Sequence, residues 1–582
     1  MSKYRTDNTQ KLDESYIGKT IKIAGFLQNY RDHGGVLFLD IRDHYGVLQV
    51  VIDEDDKELL TFAEHLSKEC ALSISGVIRK RSKDTINKNI KTGLIELKAT
   101  KIEVLSTVDE ALPFEIYPVK DIKEEVRLKY RYLDLRREVM HDNIIFRSNF
   151  IRYARELMQS MDFLEIQTPI LTASSPEGAR DFVVPSRKHP GCFYALPQAP
   201  QIFKQLLMVS GFDKYFQIAP CFRDEDARAD RTAGEFYQLD MECAFVDIED
   251  MYNLGQTVLY NLFTKFSKKQ VNKEFRRISY KESMLKYGTD KPDLRNPLEI
   301  VDLTDCFKET SFKPFKGVTV RGIAVDNLSS KSNSWFNELV DYASSIGMPG
   351  IGYITVNEDM TFKGPIDKFL TDSERKTLIE KAKLNCGSVL FFIADKTEYN
   401  KYASLIRNEL GRKLNLIDEN RFELCFIVDF PMFEWNDELD KYDFTHNPFS
   451  MPQGGMDALN NKNLEDILAY QYDIVCNGVE LVSGAVRNHD LNIMRKVFEI
   501  VGYGEDVLKE KFSSLYNAFK FGAPPHAGMA LGIDRMLMML RDTDNIKDII
   551  AFPLNSNGVD SMMNSPSEIT EKQLREVHIK CR

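Results

Sequence analysis

Long apolar runs are missing from this chain. The longest, residues 388–394 and 424–430, fall far short of the ~20 residues that a membrane-spanning helix needs. The first twenty residues hold no apolar stretch and carry Asp7, Asp13 and Glu14, so neither a secretory signal nor a transit peptide is expected there. Cysteine occurs nine times but never as Cys-x-x-Cys. That spacing excludes the usual zinc and dithiol signatures, and the scattered, odd set reads as reduced thiols. A cytoplasmic protein with no membrane partner is expected. An excess of basic charge is missing too: 88 Asp and Glu stand against 77 Lys and Arg, a formal net charge of −11. This argues against a protein that coats nucleic acid without selection, but it leaves room for local patches. Two basic stretches, 79–83 and 123–137, fit such patches or plain solvated faces. There is no internal repeat and no low-complexity tract.

What is present is a chain of 582 residues, enough for several domains at about 150 residues each. The first hundred residues alternate short strands and turns. Strands are expected at 21–27, 36–42, 47–52, 71–78 and 94–99, with a helix at 57–69, which suggests a five-stranded OB-type barrel. Leu37, Leu39 and Ile41 share one face, so Phe38 points the other way. By the same alternation Gln49, Glu96 and Lys98 face away from the barrel interior. An outward ring beside hydrogen-bonding groups suits a reader of single-stranded bases; a stray surface Phe would give the same pattern. A charged connector with Pro113 and Pro118 follows at 106–140, then an amphipathic helix at 143–161. Residues 291–422 read as a separate α/β module, with strands at 318–325, 352–356 and 388–393 and no constellation tied to chemistry.

Three segments carry chemistry. In 215–244 one strand ends at Phe222-Arg223-Asp224-Glu225, a loop rich in Arg and Asp follows, and a second strand places Gln238, Asp240 and Glu242 on one face. Such a stripe is costly in a core unless partnered. It fits the floor of a site for a charged substrate, with Arg suited to phosphate; a surface hairpin laced with salt bridges is the plainer alternative. In 472–487 the Asn477-Gly478 turn pairs Val475 with Glu480 and puts Asp473 on the same face, a pair suited to Mg²⁺ with phosphate oxygens. Arg487 reaches that face only if the strand is bulged, expected near Ser483-Gly484. Finally, Gly528-Met529-Ala530-Leu531-Gly532-Ile533-Asp534-Arg535 leads into an apolar helix, a small-residue approach with an Arg that can stack on a base.

Together these pieces resemble the three motifs of class II aminoacyl-tRNA synthetases, and over nearly the whole chain they are similar to the bacterial-type aspartyl enzymes. The resemblance implies an α+β multidomain protein: an OB-fold anticodon-binding domain at 1–105, a hinge at 106–140, and a catalytic antiparallel-sheet domain at 141–290 and 423–565. An inserted α/β module occupies 291–422, and a tail 566–582. It implies activation of L-aspartate by ATP with Mg²⁺, then transfer to tRNA(Asp), in a homodimer joined through the 143–161 helix and the strand at 163–169. Residues 175–181 look like the family's loop that closes over the amino acid. Glu177, Gln201 and Asp240 are implied on the ammonium side of the substrate, Lys204 and Arg487 on its side-chain carboxylate, and His446 at the pocket wall. Arg223 is implied as the catalytic residue, with Asp224, Glu225, Glu480, Gly532, Ile533, Asp534 and Arg535 on the nucleotide, and Asp473 and Glu480 on the metal. Arg31, His33, Phe38, Gln49 and Glu96 match anticodon-reading positions. His33 is associated with members that also charge tRNA(Asn), whereas Asp84, at a second position linked to that choice, fits neither pattern. The loop before motif 2's second strand is one residue longer than usual, lacks its Pro and has Tyr237 for Thr, so roles within 232–234 are not carried over. Asparaginyl and lysyl enzymes share the motifs, and a degenerate synthetase kept as a tRNA-binding module is the rival of another class. The Lys204 and Arg487 pair favours aspartate, and the intact Arg223, Asp473, Glu480 and Arg535 favour an active enzyme.

Overall fold

The computed structural model describes the chain except residues 1, 119, 175–178, 230, 438–439 and 581–582. It divides into two compact units, Met1–Asp142 with Asp560–Ser565, and Asn143–Val559 with Pro566–Arg582.

The first unit is built on five strands, β1 (Thr20–Asp32), β2 (Leu37–Asp43), β3 (Gly46–Ile52), β4 (Ala71–Lys80) and β5 (Ile95–Ser106). They close into a barrel in the order β1-β2-β3-β5-β4. The alternation holds: Leu37, Leu39, Ile41, Leu48, Val50, Ile52, Ile95 and Leu97 all lie in the buried interior. β1 and β5 run on past their expected ends at residues 27 and 99. Pairing with β2 and β4 supplies backbone partners there even though apolar alternation has lapsed. The helix is shorter than expected, Lys57–Glu64, capped by Asp56. The basic stretch at 123–137 is only partly a solvated face, with Lys123 and Lys129 exposed. Arg127, Arg131 and Arg137 converge on the fully buried Asp134 at 3.1, 2.6 and 2.9 Å, so this cationic cluster is spent on internal order.

The second unit holds an eight-stranded sheet. Its strands are β6 (Leu164–Glu165), β7 (Lys214–Arg223), β8 (Gly234–Ala244), β9 (Arg276–Ser279), β10 (Leu424–Val428), β11 (Gln471–Cys476), β12 (Val479–Val486) and β13 (His526–Gly532). The spatial order is β9-β10-β11-β12-β13-β8-β7-β6. The inner strands pair antiparallel; β9 with β10 and β6 with β7 pair parallel. The helix Glu138–Ser160 starts earlier than expected and buries Phe150, Ala154 and Met158 in the core of this sheet. The 291–422 segment contributes a five-stranded antiparallel sheet of its own, in the order Ile300–Asp302, Thr319–Val325, Val389–Asp395, Gly352–Val356, Phe362–Lys363. Among the described residues no helix is long and apolar enough to cross a membrane.

Gly76 of β4 marks a tight point of the barrel. A Cβ there would lie 2.1 Å from the Lys98 carbonyl oxygen of β5, a backbone atom that cannot swing aside. We expect Gly76→Ala to cost about 1–3 kcal/mol in chemical denaturation followed by circular dichroism. An unchanged midpoint would mean that β4 and β5 separate there without penalty.

Candidate functional site

The floor of the site is β8. Its polar stripe is buried, and the partners it demands are present. Lys204, on the helix Gln201–Val209, donates to Asp240 Oδ1 at 2.6 Å and approaches Glu242 Oε2 at 3.4 Å. Arg487 grips Glu242 through two hydrogen bonds, 2.8 and 3.1 Å. Burial is the largest influence on both acids. It pushes Asp240 above the ordinary carboxylate range despite Lys204; at Glu242, Arg487 and then Lys204 outweigh it and hold the group low. Sequence reading placed Glu242 on the stripe but gave it no role. Its partner across the sheet is Gly528. A Cβ at Gly528 would lie 1.8 Å from Glu242 Oε2, so the glycine clears room for the carboxylate.

Arg487 reaches this face because β12 is bulged. Val475 pairs with Glu480 but Ile474 pairs with Val482, which leaves Leu481 without a partner. The bulge therefore lies two residues before the expected Ser483-Gly484. Gly484 is small for another reason: a Cβ there would meet the Tyr472 ring at 2.4 Å. Glu480 and Asp473 share a face, as expected, because Val475 pairs with Glu480 and lies two residues from Asp473. Asp473 is buried, and burial with the charge of Glu480 drives it well above the usual carboxylate range. Its Oδ1 has no hydrogen-bond partner among the described residues.

Over this floor opens a cavity of about 560 Å³. Gln201, Arg223, His446, Glu480, Gly532, Asp534 and Arg535 line it, with Arg228, Arg231, Phe236 and Lys291. Five Lys or Arg thus face two carboxylates among the described lining residues. Arg223 lies over the Phe236 ring, 5.0 Å from its centroid, with Nε buried and unpartnered. His446 meets the edge of Phe430, and burial lowers its pKa. Arg535 donates to the Glu480 carbonyl at 3.0 Å.

Some expected residues stand elsewhere. Lys204, Asp240, Arg487 and Asp473 lie behind the lining, and Asp224 and Glu225 are outside it. Glu225 is paired with Arg231. Ile533 is fully buried, so only its backbone could serve a nucleotide. Asp534 is tied to Arg147 and accepts from the Tyr237 backbone at 3.2 Å, which makes it a strut for the helix Ile533–Leu540 more than a free ligand. Glu177 lies outside the described residues. Phe236 and Lys291 were missed; Phe236 shares the face of Gln238, Asp240 and Glu242, so alternation could have found it, whereas Lys291 lies in a loop without a period.

On the barrel, the polar positions form one chain of bonds. Arg31 binds Asp40 at 2.8 Å and donates to Gln49 Oε1 at 3.2 Å. Gln49 Nε2 donates to Glu96 at 2.8 Å, and Arg79 joins Glu96 at 2.7 Å and Asp53 at 3.0 Å. Gln49 and Glu96 face outward as alternation requires, yet these arginines cover them and both are nearly buried. Phe38 is half-buried and meets the His33 ring edge-on at 5.6 Å. Asp84 is exposed on the short turn Lys83–Thr85.

The family described as tRNA synthetases class II (D, K and N) matches residues 123–556, and the OB-fold nucleic acid binding domain matches 21–105. An aspartate–tRNA(Asp/Asn) ligase of Ehrlichia chaffeensis is 50% identical over 581 residues, covering 99% of this chain and 98% of that protein. One of Rickettsia prowazekii is 51% identical over 590 residues, covering 100% and 97%. Among solved structures, an aspartyl-tRNA synthetase of Entamoeba histolytica matches with TM-score 0.58 at 19% identity, covering 94% of this chain and 91% of that one. An asparaginyl-tRNA synthetase of Pyrococcus horikoshii, complexed with asparaginyl-adenylate, matches with TM-score 0.57 at 17% identity, covering 94% and 97%. These last two speak for the fold.

The buried quartet yields a stability test. Glu242→Gln keeps the shape but leaves Arg487 without its nearest negative charge. We expect a loss of about 3–5 kcal/mol in urea denaturation of the full chain. A wild-type midpoint would mean that Arg487 finds another counter-charge.

Proposed function

We propose a reaction for this chain from one premise: it belongs to the class II tRNA synthetases of the D, K and N group, with an OB-fold nucleic-acid-binding domain. The reaction is aspartate–tRNA ligation. L-aspartate and ATP form aspartyl-adenylate and pyrophosphate, and the aspartyl group then passes to the 3′ end of tRNA(Asp) and of tRNA(Asn). The observation that carries this reading is a set of unsatisfied atoms. Among the described residues, Gln201 Nε2, Arg223 Nε, Asp240 Oδ2 and Asp473 Oδ1 are buried with no hydrogen-bond partner, and each belongs to a residue expected in the site; other such atoms lie away from it. Orphaned polar groups are rare in a finished fold and fit a missing polar ligand. The names of the relatives support aspartate and the two tRNAs.

The chemistry follows from positioning and charge. The α-carboxylate of aspartate attacks the α-phosphorus, and the bond to pyrophosphate breaks; no protein nucleophile is needed. Arg223 neutralises charge on the α-phosphate as it develops. The cationic excess in the lining offsets the triphosphate, and Arg535 with Phe236 offers flat faces for the adenine. Lys204 and Arg487 recognise the side-chain carboxylate. Asparagine would leave their charges without that partner. Asp240 and the amide oxygen of Gln201 receive the ammonium group, and His446 closes the wall. Asp473 and Glu480 would hold Mg²⁺, which supplies positive charge to the phosphate oxygens when bound; the orphaned Asp473 oxygen fits this. The barrel reads the anticodon with Phe38 stacking and Arg31, Gln49 and Glu96 selecting. A homodimer is supported by exposed Leu164, Ile170 and Leu171 at the β6 end of the sheet, and a cytoplasmic location goes with the tRNA-ligase reading.

Two outcomes check this. ATP–pyrophosphate exchange should be driven by aspartate and not by asparagine or lysine, and Arg223→Ala should lower it by about 10²–10³-fold with the fold intact. Labelled aspartate should be loaded onto purified tRNA(Asp) and tRNA(Asn) at comparable rates. Exchange driven by asparagine would replace the substrate assignment; loading of tRNA(Asp) alone would remove the dual tRNA choice.

A further inference from the structure

Lys291 lines the same cavity and has so far counted only toward the cationic excess of its lining. Its ammonium lies 3.1 Å from Glu480 Oε2 and 3.5 Å from Asp290. It stands at the root of the inserted module, just beyond the helix Tyr280–Tyr287. That root is fastened by other groups. Gly288 ends the helix in the left-handed region, and a Cβ there would lie 2.4 Å from the Asn400 carbonyl oxygen. Ser283 donates to the Thr289 carbonyl at 2.7 Å, and the Lys291 amide to Thr289 Oγ1 at 3.1 Å. The fully buried Arg407, on the helix Tyr399–Lys413, donates to the carbonyls of Asp293, Asn296 and Leu298 at 3.0, 2.6 and 2.6 Å. The chain around Lys291 is thus held without its charge.

A half-exposed ion pair adds little to stability, so the Lys291–Glu480 pair is not what anchors the module. What it does place is a mobile cation on a long arm beside a carboxylate expected to take the metal. With Glu480 committed to a divalent ion, the ammonium would keep only Asp290, at 3.5 Å, and would face a space lined by Arg223 and Arg535. Resting on the ligase reading, we propose that Lys291 is a further substrate-contacting residue: it neutralises Glu480 in the empty site and moves onto the β- and γ-phosphates of ATP, the part that leaves as pyrophosphate. The inserted module thereby contributes a group to the reaction through its root.

The test compares nucleotides with and without that leaving part. Lys291→Met and Lys291→Arg, made in the full chain, are titrated calorimetrically with ATP and with AMP in Mg²⁺ buffer, and thermal midpoints are recorded. Lys291→Met should bind ATP about 10- to 100-fold more weakly, the worth of one charge-assisted hydrogen bond. AMP affinity should stay unchanged, and Lys291→Arg should recover most of the ATP affinity. Equal weakening toward ATP and AMP would make Lys291 a structural residue and overturn the proposal, as would wild-type ATP affinity in Lys291→Met. If that variant does not fold, Lys291→Gln carries the same comparison. A wild-type protein that fails to bind ATP at all would instead sink the ligase reading.

Discussion

A charge taken out of water has to be met within hydrogen-bond reach, and four such charges lie together under the cavity: Lys204, Asp240, Glu242 and Arg487. Much of the catalytic unit is arranged around meeting them. The helix Gln201–Val209 must present Lys204 to β8. The strand β12 must gain a residue at Leu481 so that Arg487 arrives on the correct face. Residue 528 must have no side chain, because Glu242 fills that volume. The quartet balances two positive groups with two acids, yet burial disfavours the charge on Asp240. An incoming ammonium group beside Asp240 and an incoming carboxylate beside Lys204 and Arg487 would restore that balance. On the ligase reading, the substrate would be a missing part of this electrostatic arrangement.

Much of this was legible from residue order, for physical reasons. Period-two alternation specifies a barrel interior, so Leu37, Leu39, Leu48 and Val50 identified themselves and, by exclusion, so did Phe38 and Gln49. The Asn477-Gly478 turn fixed the register of Val475 with Glu480, and from it the shared face of Asp473 and Glu480. Other features were hidden because they depend on neighbours far along the chain. Where the bulge falls is decided by which residue of β11 each residue of β12 meets. Gly484 drew attention to the wrong position because a glycine that accommodates a ring looks the same as one that permits a bend. The role of Asp534 depends on Arg147, almost four hundred residues away. The basic stretch at 123–137 looked like a surface until its arginines were found around Asp134, an acid inside the stretch itself. Lys291 stands alone in a loop, and no period reveals such a residue.

The bonded chain across the barrel has a consequence for recognition. A glutamine amide can ordinarily turn over and exchange its oxygen for its nitrogen. In Gln49 both ends are committed, the oxygen to Arg31 and the nitrogen to Glu96, so the order of acceptor and donor is fixed before any nucleotide arrives. A base laid against this face meets a surface that cannot adjust its hydrogen-bonding pattern. On the ligase reading, tolerance of more than one RNA would come from residues without such ties, such as His33, whose ring meets Phe38 edge-on. One barrel can thus be strict at one nucleotide and lenient at the next, and the division is drawn by which side chains have already spent their donors and acceptors on each other.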